Sequence, residues 1–334
     1  MRNTTRTLFN GYLGQVATLN GVETATAKFT VAPSVQQTLE TRMQESSQFL
    51  TMINVVPVTE KSGEKLGLGV SGTIAGTTDT TKSDRQAIDP TDLDALGYDC
   101  TQTNFDTALR YAKIDMWAKF PDFQARIRDA ILKQQALDRI MIGFNGTSRA
   151  ATSNRTANPL LQDVNIGWLK KIRQHAPQRN MAEVVEGSGK IVIGTDYANL
   201  DALVYDMVNN MIDPWHQDDT ELVVICGRKL LADKYFPIIN KDNAPTEAMA
   251  ADMIISQKRI GGLGAVRVPH FPANALLVTR LDNLSLYWQE GARRRSVIDN
   301  PKRDQIENYE SSNDAYVVED YGCTAFAENI EMGA

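Results

Sequence analysis

In this 334-residue chain few residues stand at spacings that carry chemistry, and the flanking sequence argues against each. Gly67-Leu68-Gly69-Val70-Ser71-Gly72 is a literal GxGxxG. A dinucleotide site needs that turn to open a helix whose first amides hold a pyrophosphate. Here it runs into Thr73-Ile74-Ala75-Gly76-Thr77-Thr78, a poor helix former, so a glycine-rich hairpin is the better reading. A nucleotide-binding α/β enzyme is the alternative. His175, His216 and His270 stand alone, and Cys100, Cys226 and Cys323 lie far apart with no CxxC, so no zinc-type ligand set is visible. The acidic groups Asp89, Asp92, Asp94 and Asp218, Asp219, Glu221 lack the glycine and terminal glutamate of a calcium loop, and read as solvated turns and helix caps. Ser188 sits in Gly-Ser-Gly rather than GxSxG, and no GxxxxGK[ST] occurs. Asn145-Gly146-Thr147 and Asn154-Arg155-Thr156 match glycosylation sequons, but no secretion signal accompanies them.

The basic run Arg293-Arg294-Arg295, continued by Lys302 and Arg303, is a candidate contact patch for phosphate or for a neighbour's acidic side chains. It reads equally as a solvated turn between two strands. No aromatic residues interleave it, as base stacking would require. The sequence offers no catalytic residue, no cofactor site and no metal site.

Composition sets the outer bounds. With 42% apolar and 23% charged residues the chain can bury a core and is not wholly disordered. Its formal net charge of −6 has the wrong sign for a protein that coats nucleic acid with its whole surface. The opening MRNTTRTLFNGYLGQVATLNG holds no continuous apolar stretch of the signal-peptide kind. No apolar run approaches the ~20 residues of a spanning helix. The expectation is a soluble, intracellularly made chain with reduced thiols and no membrane partner.

The elements that must position these residues follow from periodicity. Leu8, Tyr12, Val16 and Leu19 fall at helical steps, and the polar Asn20–Lys28 stretch reads as a linker. So short an amphipathic helix needs a partner surface, either its own domain or a neighbour. After Pro33 a second helix should bury Val35, Leu39, Met43, Phe49, Leu50 and Ile53 and stop before Pro57. In Lys65–Ile74 the residues Leu66, Leu68, Val70 and Ile74 alternate with Gly67, Gly69, Ser71 and Thr73, a strand with one apolar face. Gly76–Thr81 is its tip and Tyr98–Tyr111 the return. An isolated two-stranded ribbon is marginal in water, so this excursion asks for a cover, most economically another copy of the chain.

The strongest helical signal is Asp122–Phe144, with Pro121 at its start and Asn145-Gly146 at its stop. Phe123, Ile127, Ile131, Leu137, Ile140, Met141 and Phe144 form its stripe, and Arg126, Arg128, Lys133, Asp138 and Arg139 its polar flanks. From Ile191 an α/β rhythm follows: helices at 200–211, 228–236 and 246–254, and strands at 222–226, 266–268 and 275–279. Short strands and turns run to the C-terminus. These elements neither segregate nor alternate cleanly, which predicts an α+β protein.

Long ordered runs carry a resemblance: MQESSQFLTMINVVPV (43–58), SGTIAGTTDT (71–80), FPDFQARIRDAILKQQALDRIMIGFNG (120–146), NPLLQDVNIGWLKK (158–171), GRKLLADKYFPIIN (227–240), ISQKRIGGLGAVRVPHFPANALLVTRLDNLSLYW (255–288) and VVEDY (317–321). From about Met1 to Met332 the chain resembles the major capsid proteins of P2-like tailed bacteriophages, which have the HK97-type fold.

The resemblance implies an N-terminal arm (1–56, precursor segment about 1–29), an extended hairpin loop (57–113), and a peripheral domain (114–190) with a spine helix at 122–144. An axial domain (191–272) and a return to the peripheral domain (273–334) complete it. It implies arm contacts through Leu8, Tyr12, Val16 and Leu19, inter-subunit contacts through Leu66, Leu68, Val70 and Ile74, and trimming of the arm near Phe29-Thr30. Implied too are hexamers and pentamers of an icosahedral shell around double-stranded DNA, assembled in the host cytoplasm. The implied partners are a scaffolding and protease protein, a portal and head decoration or completion proteins. Lys61, Lys65 and Lys82 offer amines in the loop, yet nothing near them signals covalent locking, and non-covalent stabilisation is expected. A tail or tube subunit is the other structural reading.

Overall fold

The computed structural model describes residues 1–65, 69–70, 75, 77–82, 84–85, 91–92, 96–118, 120, 123–239 and 258–333. Helix α1 (Asn3–Asn20) stops at Gly21, whose φ of +64° turns its own amide onto Thr18 O and that of Val22 onto Ala17 O. Helix α2 (Pro33–Glu45) has proline in its first turn, and α3 (Gln48–Met52) leads into the strand Asn54–Val58. Pro57 is tolerated there because that strand lies at a sheet edge.

One long strand, Gln305–Val318, organises the larger sheet. Along one side it pairs antiparallel with Leu284–Gln289 and Arg294–Asn300, and along the other with Thr101–Asn104 and Thr107–Arg110. Asn54–Val58 adds in parallel to Leu284–Gln289, and Phe29–Thr30 adds antiparallel to Arg294-Arg295. Residues 101–110 therefore belong to the body of the subunit, not to a projecting loop as the 57–113 boundary anticipated. Their short apolar content is enough because the long strand supplies the ladder.

Helices α4 (Tyr111–Trp117), α5 (Phe123–Asn145) and α6 (Trp168–His175) follow, α5 being the spine at roughly 35 Å. Then come α7 (Leu200–Met211), α8 (Pro214–Gln217) and α9 (Arg228–Ile239); the expected helix at 246–254 lies outside the described residues. The second sheet runs in the order 259–260, 263–266, 223–226, 276–279, 325–327, 180–181. Ile330–Met332 pairs in parallel with Ile191–Ile193. Within 273–334 the strands 284–289, 294–300 and 305–318 form the larger sheet on the side of α5 and α6, while 276–279, 325–327 and 330–332 complete the second sheet and its neighbour.

Strand alternation explains why both faces of this second sheet are buried. Ile225, Leu277 and Phe326 point into the cluster around α5 and α6, while Val224, Cys226, Leu276, Val278, Ala325 and Ala327 point into the cluster under α7. Trp168 is the centre of the spine-side core. Its indole Nε1 donates to Ser285 O at 2.9 Å, and its ring meets Phe144 and Tyr316 edge-on at 5.1 and 5.2 Å. That fit needs Gly143: a Cβ there would lie 2.2 Å from Trp168. Gly143→Ala is expected to cost about 1–3 kcal/mol through forced repacking, read as a lowered denaturation midpoint at unchanged m-value.

Candidate assembly surfaces

The arm is docked on its own chain. In α1 the buried residues are Thr5, Phe9, Val16 and Ala17, with Tyr12 and Leu13 half-buried. Leu8 and Leu19, expected on the contact stripe, face solvent at 48% and 66% exposure. The stripe is rotated because Phe9, not Leu8, reaches the cluster of Tyr111, Ile114, Val297 and Ile306. Polar contacts fix the register. Arg6 pairs with Asp299 at 2.8 Å, Arg2 N donates to Asp115 Oδ1 at 3.0 Å, and Arg295 donates to Tyr12 Oη at 2.8 Å. Tyr111 Oη also donates to Asp299. Burial raises the Asp299 carboxyl, but the bonds from Tyr111 and Arg6 outweigh it and hold the group below its ordinary value.

The segment 20–28, expected as a linker, is mostly exposed but anchored at Ala25. Ala25 is buried with Val16, Phe29 and Val31, and Val297 N donates to Ala25 O at 3.0 Å. Phe29 and Thr30 sit in the edge strand against Arg295 and Arg294.

Beneath the arm lies a buried charge network that joins α2, α5 and the long strand. Glu40 receives Arg139 Nη2 at 3.2 Å and Arg293 Nη1 at 2.6 Å. Arg139 also donates to Asp314 from Nε (3.1 Å) and Nη2 (2.9 Å), and Arg293 Nε donates to Glu310 at 2.8 Å. Gln135 closes the circuit, accepting from Arg293 at 3.0 Å and donating to Glu310 at 3.1 Å. All five charged side chains are buried.

Three carboxylates face two guanidinium groups, so one negative charge is in excess. Burial raises the Asp314 carboxyl, and Arg139 offsets this only in part. Burial acts the same way on Glu310, but Arg293 and then Arg295 overcome it and bring the group to about 2. Glu40 is likewise lowered, its burial outweighed by Arg139 and Arg293.

Two expectations change here. Arg293 is fully buried and so is not part of a surface patch. Arg294 is exposed, whereas Arg295 is half-buried and donates to Asn308 Oδ1 at 2.8 Å as well as to Tyr12. Arg139, assigned to a polar flank of the spine, is the network's centre. Counting apolar residues alone missed the signal: Gln36, Glu40 and Met43 on α2, and Gln135 and Arg139 on α5, recur at helical steps on the inward faces.

An open apolar groove of about 1030 Å³ lies between α5, α4 and the strands at 101–110, lined by Phe105, Leu109, Trp117, Phe120, Ile127 and Ile131. A cavity of about 120 Å³ beside it shares Leu109, Ile127 and Ile131 and is roofed by Thr5, Phe9 and Tyr12 of α1. Trp117 and Phe120 are 42% and 52% exposed. Isolated exposed apolar residues need no explanation, but an apolar groove of this size is a candidate contact surface.

The glycine-rich ribbon is visible at its root and along part of its length. Ser62–Glu64 pairs with Gly97–Asp99, and Gly69–Val70 with Thr91–Asp92. Lys65 Nζ reaches Val318 O and Glu319 O at 3.4 Å each and lies 4.8 Å from the Tyr321 ring centre. Tyr98 meets Tyr287 at 5.1 Å. Of the expected contact residues, Val70 occupies a strand position, while Leu66, Leu68 and Ile74 lie outside the described residues, as do Gly67 and Gly72.

Among the described residues no group of three His, Cys, Asp or Glu side chains is placed to hold a metal. Cys100, Cys226 and Cys323 are free and buried, their thiols pushed by burial to about 12, 11 and 11. His216 contacts Asp320 at 2.9 Å, and the His175 ring lies beside Tyr321. Among the described residues no helix is long and apolar enough to cross a membrane.

The chain matches the family described as phage major capsid protein, P2 family, over residues 8–330. It belongs to that family. The capsid proteins of Escherichia phage P2 are 55% identical over 343 aligned residues, covering 100% of this chain and 96% of theirs. The major capsid protein of Serratia phage KSP20 is 43% identical over 339 residues, covering 99% and 97%. A solved chain of the satellite phage P4 procapsid, which includes size determination (Sid) protein, has a TM-score of 0.84 at 54% identity, covering 100% of this chain and 99% of that one. The cyanophage A-1(L) capsid, at 12% identity and a TM-score of 0.50 over 84% of this chain and 92% of its own, shares the fold alone. The α+β fold is thus that of the HK97-like phage capsids. The capsid protein is a structural component of the virion shell, not an enzyme.

Removing one partner from a buried pair leaves an uncompensated charge and costs about 3–5 kcal/mol. Arg139→Met is therefore expected to lose about that much in denaturant unfolding at neutral pH, whereas Arg128→Met on the exposed face shifts it by about 0.5 kcal/mol or less. Glu310 is depressed in the folded state, so its contribution is present above the ordinary glutamate value and lost as pH falls towards about 2. Glu310→Gln should flatten the fall of stability over that acid range.

Proposed function

We propose that this capsid protein assembles as hexamers and pentamers of an icosahedral head enclosing double-stranded DNA, in the host cytoplasm. The observation that carries this is similarity to a procapsid chain over 100% of this chain and 99% of that one. In this reading the ribbon from about residue 59 to 99 is the extended loop that lies over a neighbour. The body around α5 is the peripheral domain, and the sheet under α7 with its attached helices is the axial domain. The segment 1–29 is a removable precursor.

The open groove along α5 supports a shell in which copies pack on one another, since a free subunit leaves Trp117 and Phe120 half in water. Closed symmetry with repeated contacts is the economical use of such a surface. The net charge of −6 suits a container whose DNA must leave again. Partners of this assembly are a scaffolding and protease protein, a portal, and decoration or completion proteins. The presence of Sid in the P4 procapsid supports the idea that a further protein directs shell geometry for this chain too.

The deletion of residues 66–81 tests the interlocking role. Folded, soluble subunits without shells in negative-stain electron microscopy are expected, against closed particles for the parent. Normal particles from the deletion would remove the ribbon from the assembly mechanism. Tubes from the parent chain would instead favour a tail subunit.

A further inference from the structure

The segment that carries the Phe29-Thr30 bond is tied down at three buried residues, although Thr26, Ala27, Lys28 and Thr30 face solvent. Ala25, Phe29 and Val31 are 1%, 8% and 2% exposed. Their backbone is tied to the sheet: Phe29 and Thr30 pair with Arg295 and Arg294, and Val31 N donates to Arg293 O at 2.9 Å. A protease takes several residues in extended form across its cleft, and it cannot take residues already serving as an edge strand. Cutting here must wait for local opening.

What holds the segment closed is the arm. Val16 of α1 packs with Ala25, Phe29 and Val31 in one cluster. Farther along the helix, Phe9 fills the pocket of Tyr111, Ile114, Val297 and Ile306, and Arg6 pairs with Asp299. Val297 of that pocket and Asp299 lie on the sheet strand that also receives Phe29 and Thr30, so helix and edge strand both dock on that strand. We propose that the docked arm is a latch on its own removal: the peptide bonds at residues 28–30 become available for hydrolysis only when α1 has lifted from its seat. This rests on reading residues 1–29 as a removable precursor. It adds that removal follows a change in the subunit, and is not open to any protease that meets it.

Lys28 provides the test, because its side chain is exposed while the backbone just after it is paired. Trypsin digestion of the full chain is followed by mass spectrometry, comparing cleavage after Lys28 with cleavage after Lys82 and Arg85, which are exposed in a turn-rich segment. When opening is fast relative to cutting, the rate reports the population of the open form. Cleavage after Lys28 is expected to be at least tenfold slower than after Lys82 or Arg85. Phe9→Ala should raise it at least tenfold without changing the Lys82 and Arg85 rates, and Arg6→Ala, which leaves the core untouched, about two- to fivefold. If Phe9→Ala also opens the buried Arg139 site, the molecule has unfolded and Arg6→Ala alone decides. Equal rates at the three sites in the parent, or no response to Arg6→Ala, would overturn the latch. Retention of residues 1–29 in mature particles would overturn the precursor reading while leaving the latch standing.

Discussion

The subunit depends on one buried electrostatic circuit. Glu40, Arg139, Arg293, Glu310 and Asp314 come from α2, α5, the turn just before the strand at Arg294 and the long strand of the larger sheet, and they meet where water is excluded. Desolvating these charges is costly, and only near-complete hydrogen bonding recovers the loss. Around the circuit α2 lies against α5, and residues 29–30 add to the edge of the strand entered at Arg294.

That frame leaves some surfaces satisfied and others open. The arm finds its partner surface on its own chain, through Phe9 and Arg6. The groove of Phe105, Leu109, Trp117, Phe120, Ile127 and Ile131 stays open on the single chain, and in the proposed assembly it and the ribbon are the surfaces a neighbour would cover. A ribbon with few core-grade residues, anchored at its root by Lys65 and Tyr98, is marginal alone and useful when covered. Membership in a shell-forming family fits this division of a rigid body and incomplete margins.

Much of the fold was legible in the residues. The 3.6-residue spacing located α2, α5 and α7, and apolar runs located the strands at 223–226 and 276–279, whereas the strand at 263–266 was expected at 266–268 and the short strands 180–181 and 259–260 gave no signal. What stayed hidden was non-local. Thr101–Arg110 has no strong apolar face, and its place is decided by the ladder of a strand two hundred residues later. Arg139 and Arg293 looked like surface charges because burial of a charge is decided by the partner, and Glu40 is far away in sequence. The rotation of the arm stripe from Leu8 to Phe9 likewise follows from the shape of the pocket it meets, which no local pattern records. Assembly chemistry was legible only through long-run resemblance, since a capsid subunit has no small constellation of reactive groups to read.

The central claim is that the groove along the spine helix is finished by another copy of the chain. Cryo-electron microscopy of particles formed by the purified protein measures this directly. The account predicts closed shells in which residues of an adjacent subunit lie against Trp117, Phe120, Ile127 and Ile131. Shells in which that groove faces solvent, or is filled by the subunit's own residues, would contradict it.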